Sequence, residues 1–401
     1  MTPSPTAVRD RLGVRCGWVL AAATALAPLV AWLGPLGFAP AAALAGLLCL
    51  PAVRIEEDDR PLVIALLVAV IWAAGSMAWS PFRPAELDEM TGLKLVAMAA
   101  LFWALVCGAR RTSPASRLWT LRLLAWGMAL LGLVMLVEGL TGAALYQGLR
   151  AALGDPIRPD LAARNVAVAA FVLAVLWAPA ALAGARICRA PWLVLPMVAG
   201  LIGGSTVNGA DAPLAAGALG LAAGLAVWFW PRVAPRLLAG LAAFFFLLAP
   251  LVLWAVRAVG CYEGLERAAP TSWSQRMGYW RHAVGWIADH PMRGWGLDAS
   301  RMFAPGIQLH PHDSALQIWL ELGVIGATAA AVFWVALFAR MSRPKADAAT
   351  AVSAAAASAY LVIGAVSFGV WQEWWLAVGA LCAALCAALE AQTSTIRPVS
   401  E

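Results

Sequence analysis

What most limits how this chain can fold is a succession of long apolar runs separated by short charged or Pro/Gly-rich connections. They lie at about 16–33, 36–52, 61–79, 92–109, 118–140, 164–184, 191–206, 213–230, 234–255, 314–339, 349–368 and 374–391. Crossing bilayer hydrocarbon takes roughly 20 mostly apolar residues, and in lipid every backbone amide must bond within its own segment. The expected fold is therefore an all-α polytopic membrane protein with about twelve transmembrane helices. Composition agrees: 62% of the 401 residues are hydrophobic and 12% charged, where a soluble domain carries about 25% charged residues.

Charge sets the orientation. With the amino terminus inside, the inner connections carry Arg9, Arg11, Arg15, Arg54, Arg60, Arg110, Arg111, Arg117, Arg186, Arg189, Arg232, Arg236, Arg340, Arg343, Lys345 and Arg397, and the short outer connections carry almost none. That is the positive-inside asymmetry, so both termini are expected in the cytoplasm. The basic start followed by an apolar core imitates a signal peptide, but further spans follow and it reads as an uncleaved first helix. Three parts result: residues 1–255 with nine spans and a short outer loop at 141–163, a hydrophilic outer segment at 256–312, and residues 313–401 with three spans and a cytoplasmic tail.

Several function classes drop out. The net charge of +6 is scattered through topology-setting loops, which argues against nucleic-acid binding. The seven cysteines form no CxxC pair and only Cys261 falls in an exposed outer segment, so neither a disulfide framework nor a zinc site is expected. Glu263, Glu266, Asp298 and Asp313 lack metal-ligand spacing, and no GxSxG, P-loop or GxGxxG occurs. Metal-free, nucleotide-free chemistry without a cofactor is the expectation. Gly220 and Gly224 have the GxxxG spacing that allows close helix approach.

The outward-facing cations exceed what structure requires: Lys94, Arg150, Arg158, Arg164, Arg257, Arg267, Arg276, Arg281, Arg293 and Arg301. A cation at bilayer depth costs about 2.5–3.5 kcal/mol on insertion scales, so Lys94 and Arg164 need a reason to be there. Snorkelling to headgroups is one reason for any single arginine. An anionic ligand is another, and guanidinium forks suit the oxygens of a pyrophosphate.

The segment "QLHPHDSALQIWLELGVIG" at 308–326 puts ionisable groups at the mouth of an apolar helix. Pro311 restricts His310, Asp313 suits an N-cap, and the helix should begin at Ser314. His312 then stands at a helix N-terminus, where the dipole disfavours imidazolium and favours a nearby anion. A neutral histidine among arginines can deprotonate an alcohol while a phosphate-linked leaving group departs; the plain alternative is an interfacial loop histidine. Upstream, 272–290 reads as an amphipathic helix with Met277, Trp280, Val284 and Ile287 on one face and Arg281, His282 and Asp289 turned away. His282 and His290 read as surface residues.

The stretch "SWSQRMGYWRHAVGWIADHPMRGWGLDASRMF" with "HPHDSALQIWLELGVIGATAA" resembles the Wzy-C region shared by O-antigen ligases, O-antigen polymerases and bacterial protein O-oligosaccharyltransferases. The likeness lies in Arg276 ahead of Trp280, a D-H-P-x-x-G-x-G turn (Asp289, His290, Pro291, Gly294, Gly296), and an H-x-H-N-x-x-L-x-x-x-x-E-x-G-x-x-G pattern matched by His310, His312, Leu316, Glu321, Gly323 and Gly326. Asp313 stands where the family usually has Asn.

The resemblance implies a membrane glycosyltransferase of GT-C-like architecture that moves a glycan from an undecaprenyl-pyrophosphate carrier to an acceptor hydroxyl at the periplasmic face. His312 would be the general base and Arg276 would hold the pyrophosphate, joined by Arg164, Arg158 and Lys94. His310, Asp313, Glu321 and Arg281 would support them. Arg164 with Asn165 resembles a polar pair of the family. The family's Ser-Arg pair has no counterpart in "TVNGADAPLAAG", which has Asp211; either another cation such as Arg158 or Lys94 substitutes, or that site is not required here.

Within the family an O-antigen ligase is expected, because one long outer segment precedes the motif and the chain stops soon after the last span. Its partners would be undecaprenyl-pyrophosphate-linked O-antigen, lipid A-core oligosaccharide and the lipids of a Gram-negative inner membrane. A polymerase is the near rival, and a protein O-oligosaccharyltransferase is usually longer. From another class, a twelve-helix transporter or flippase would carry ionisable groups near the midplane, whereas here they crowd one face. A membrane scaffold would leave the arginine excess unexplained.

Overall fold

Helices form where the apolar runs require them. In the computed structural model, which describes residues 5–207, 209 and 211–396, the described residues contain helices, turns and loops but no strand. The helices are α1 (Pro5–Leu33), α2 (Phe38–Cys49), α3 (Arg60–Ser76), α4 (Thr91–Arg110), α5 (Pro114–Thr141), α6 (Ala144–Ala152), α7 (Pro159–Arg186) and α8 (Val194–Val207). There follow α9 (Ala212–Phe229), α10 (Ala234–Ala258), α11 (Tyr262–Ala268), α12 (Thr271–Asp289), α13 (Ser314–Ala339), α14 (Ala348–Val366) and α15 (Glu373–Ile396). Among the described residues eleven helices are long and apolar enough to cross a membrane; the expected span at 191–206 is instead the shorter apolar helix Pro191–Val207. The protein is thus an all-α, multi-pass membrane protein.

Apolar packing in lipid relies on small residues that let backbones meet. Along α5 and α8 a Cβ on Gly200 would stand 2.4 Å from Gly132 Cα. The expected close approach at Gly220 and Gly224 is made against α14, where added Cβ atoms would fall 2.6 Å from Ala355 O and 2.8 Å from Ala351 O. Helix α7, with 83% of its apolar window buried, is apolar all round because it is the central post of the bundle.

Contacts between distant connections sort the helix ends into two sets. At one end, Ser80 Oγ donates to Leu297 O at 2.7 Å, Lys94 pairs with Glu373, and the loop before α13 meets the turn after α14. At the other, buried Asp59 accepts from Arg110 at 2.6 and 3.0 Å and also pairs with Arg340, while Arg343 reaches Glu390 at 2.6 Å. The basic connections assigned to the inside cluster at this second end; Arg397 lies outside the described residues.

Helix α13 departs from expectation. Its apolar run reads as one continuous helix, yet Gly323 (φ 64, ψ −161) divides it into 314–322 and 324–339. The break frees carbonyls that must find new donors. Trp295 N bonds Leu320 O at 2.9 Å, Gly296 N bonds Glu321 O at 2.7 Å, and Trp72 Nε1 bonds Leu322 O at 2.9 Å. In return Val324 N donates to Pro291 O at 2.9 Å. The turn 290–296 is therefore plugged into the break, and the fit needs glycine: a Cβ on Gly323 would stand 2.4 Å from Met292 O, and one on Gly294 (φ +68) 2.3 Å from Glu321 C. The glycine spacing of both motifs follows from this joint.

Candidate active site

The outer half of α13 starts where its sequence asks. Asp313 (φ −146, ψ 118) caps it, its side chain accepting from Leu316 N at 2.9 Å. Burial raises the Asp313 carboxyl to about 7, against the pull of the Leu316 and Ala315 amides. The residue before the cap, His312, takes the left-handed conformation (φ 58), uncommon for a side chain with Cβ, and this turns its ring back across the helix entrance.

Three contacts fix that ring and a fourth holds its loop. His312 Nδ1 lies 2.6 Å from Ser367 O in the turn between α14 and α15. The Tyr279 ring of α12 stacks on it at 6.1 Å, and the His310 ring lies 4.2 Å away. Trp280 Nε1 donates to Pro311 O at 2.9 Å, fastening the loop from the same helix. A carbonyl oxygen can only accept, so Nδ1 must carry the proton and the lone pair is left on Nε2. His312 is half-buried, and burial is the main cause that lowers its pKa; the Ser367 carbonyl opposes this, and Arg276 and Arg164 lower it further. Desolvation and two guanidiniums therefore keep the imidazole neutral, where the sequence reading relied on the helix dipole.

His310 is neutral as well: burial, His312 and Arg301 lower it to about 3, and its Nδ1 accepts from His312 N at 3.2 Å. It packs against the 367–372 turn, where a Cβ on Gly369 would come within 2.9 Å of its ring.

The cations sort into two groups. Arg276 and Arg164 are felt by His312, and among the described residues neither has a carboxylate within ion-pair distance. Arg276 is half-buried, its guanidinium 5.2 Å from the Trp273 ring centre, and burial lowers its pKa. Burying a cation without a counter-ion is unfavourable unless a ligand supplies one. Arg158 and Lys94 are already paired. Arg158 is exposed and holds Asp160 through two bonds at 3.0 and 2.6 Å, and Lys94 is bound to Glu373. Arg281 lies 3.6 Å from Glu266 and is not among the cations that act on His312.

Glu321 stands one layer beneath. Fully buried, it accepts from Asp298 N at 2.9 Å, Ser300 Oγ at 2.6 Å, Gln317 Nε2 at 3.2 Å and Trp371 Nε1 at 2.5 Å. Gln317 Oε1 in turn accepts from Val370 N at 2.9 Å. These bonds set the 367–372 turn against α13 and so aim the Ser367 carbonyl at His312. Sequence reasoning missed Ser367, Gln317, Tyr279 and Trp371. The spacing of Gln317 and Glu321 on one helix face was the available signal for two of these ties. Among the described residues no three His, Cys, Asp or Glu side chains gather as a metal site.

Comparison with known proteins bears on the same segment. Residues 209–331 match the Wzy_C family model, described as O-antigen ligase; that stretch contains His310, His312, Arg276 and the α13 break. A Rickettsia conorii protein named provisionally as a polysaccharide ligase is 27% identical over 147 residues, covering 33% of this chain and 36% of that protein. A Rickettsia prowazekii protein of the same provisional name is 27% identical over 126 residues, 28% of this chain and 31% of that protein. The chain thus spans about a third of the length of these relatives.

Proposed function

Because the chain carries the Wzy_C region of the O-antigen ligase family, we propose that it transfers a polysaccharide from undecaprenyl pyrophosphate to a hydroxyl of lipid A-core oligosaccharide, at the periplasmic face of a Gram-negative inner membrane. The observation that carries this reading is His312: its Nδ1 is committed to Ser367 O, and its free Nε2 stands in the field of two uncompensated arginines. An acceptor hydroxyl gives its proton to Nε2 while its oxygen attacks the anomeric carbon of the donor sugar. The bond from that carbon to the phosphate oxygen breaks, and the polyprenyl pyrophosphate leaves with the electron pair. Arg276 and Arg164 bind the charge that grows on it, the role for which bidentate guanidinium is suited. Arg158 and Lys94 play at most a secondary part, since an anion would have to displace Asp160 or Glu373. The basic connections gathered at the opposite end of the bundle support a periplasmic site and cytoplasmic termini.

The test is His312→Ala in cells that make O-antigen. Loss of capped lipopolysaccharide with build-up of carrier-linked O-antigen of normal length supports the ligase. Build-up of single repeat units assigns polymerisation instead, and undiminished capping removes the base role.

A further inference from the structure

A second cationic cleft lies on the far side of α12. Arg257 at the end of α10, with Arg281, His282, Gly285 and Trp286 of α12, lines a cleft of about 410 Å³. The Nε atoms of Arg257 and Arg281 are both buried, and neither has a hydrogen-bond acceptor in the described chain. A helix C-terminus favours one cation at Arg257. It does not account for two guanidiniums sharing a cleft with a histidine, each holding a buried donor unused. An unpaired buried donor is costly, more so when charged, and the group that cancels this cost is an anion with several acceptor oxygens. Glu266, 3.6 Å from Arg281 Nη2, is too distant to satisfy that Nε, and Glu263 and Tyr262 flank the same corner.

One wall of the cleft is aromatic. Trp286 stacks on His282 at 5.7 Å and on Phe303 at 4.2 Å, both at an interplanar angle of 27°. The stack ends in exposed His282 beside the two arginines, an edge that suits a sugar ring bearing a phosphate. Position points to a lipid-borne one: Arg257 ends a membrane-crossing helix, so the cleft opens at headgroup depth.

We propose that this cleft binds the phosphate of a phosphorylated sugar headgroup anchored in the same leaflet. His312 and Arg276 lie on the α13 side of α12, so two sites share one helix, one for the departing pyrophosphate and one for a second lipid. That the second lipid is the acceptor rests on the function proposed above; the phosphate pocket does not.

The test is binding of lipid A to the purified full-length protein in detergent, read by native mass spectrometry. Phosphorylated lipid A should bind about tenfold or more tightly than its dephosphorylated form, and Arg257→Gln and Arg281→Gln should each remove about that factor. Arg257→Lys should keep part of it, and a normal unfolding transition in each variant separates lost binding from lost fold. His312→Ala should bind as the wild type does, so this result stands apart from any outcome on transfer. Binding indifferent to the lipid's phosphates, or unchanged in the Arg257→Gln/Arg281→Gln protein, overturns the pocket. Phosphatidylglycerol binding equally well, or inorganic phosphate alone displacing the lipid, overturns the sugar-headgroup assignment in favour of a general headgroup or free-phosphate site.

Discussion

His312 Nδ1 and the Ser367 carbonyl oxygen are 2.6 Å apart, although 55 residues separate them in the chain. Because the carbonyl accepts only, this one contact chooses the tautomer and leaves Nε2 bare. Nitrogen NMR of the purified protein labelled at histidine should show His312 protonated at Nδ1 near neutral pH. A resonance pattern with the proton on Nε2 would contradict the proposed geometry for proton abstraction.

The lowered His312 pKa fixes the direction of the pH profile. A base whose proton affinity falls below the ordinary value of 6.5 stays ready at more acid pH, so the acid limb of kcat/KM should have its midpoint below 6.5. A midpoint at or above 6.5 would mean that desolvation and the two arginines do not act on the working base.

Asp313 gives an opposite, separable signature. Its carboxyl rises from 3.8 to about 7, so the folded state holds a proton that the unfolded state gives up. Stability from this group is present below pH 3.8 and declines as pH rises to about 7. Asp313→Asn keeps an equally good cap without the ionisation. Its thermal stability should therefore gain on the wild type as pH rises through that window and then level off. Asp313→Ala should lie about 1 kcal/mol below Asp313→Asn at every pH, because both lack the ionisation and only the cap differs. A pH-independent difference between wild type and Asp313→Asn would refute the assignment.

Arg276→Gln should weaken binding of a polyprenyl-pyrophosphate glycan about tenfold or more, and Arg276→Lys should recover only part, because an ammonium cannot bond in the bidentate manner. Arg158→Gln should change little, since that side chain is exposed and already holds Asp160. Isothermal titration of the three variants orders them; equal losses at 276 and 158 would dissolve the distinction between free and paired cations.

Glu321→Gln tests a positioning residue. The amide replaces one acceptor oxygen with a donor, opposing one of the donors around it, Asp298 N, Ser300 Oγ, Gln317 Nε2 or Trp371 Nε1. Leaving such a group unsatisfied costs about 1–3 kcal/mol, and the 367–372 turn should shift. Slower transfer together with a changed His312 tautomer population is expected. Slower transfer with the tautomer untouched would place Glu321 in some other role.

Much of this site could be read along the chain because its signals are local. Pro311, Asp313 and the onset of the apolar run locate the helix start and set His312 before it, and Arg276 with Trp280 follows from the spacing of one turn. The break at Gly323 could not be read: the flanking run is apolar on both sides, and only the amides of Trp295 and Gly296, supplied from another segment, make the interruption tolerable. Ser367 was invisible for a different reason, since it acts through a backbone carbonyl that leaves no mark in side-chain identity. Asp160, two residues beyond Arg158, signalled in plain sequence that this arginine was paired; Glu373, the partner of Lys94, comes from across the bundle.

The most direct measurement is a reaction with purified components: polyprenyl-pyrophosphate-linked glycan, core oligosaccharide acceptor and either wild-type or His312→Ala protein, with glycosylated acceptor as the readout. Removing a general base should lower the rate by about 10²–10⁴ while donor binding persists. Transfer by the alanine variant at the wild-type rate would contradict the account.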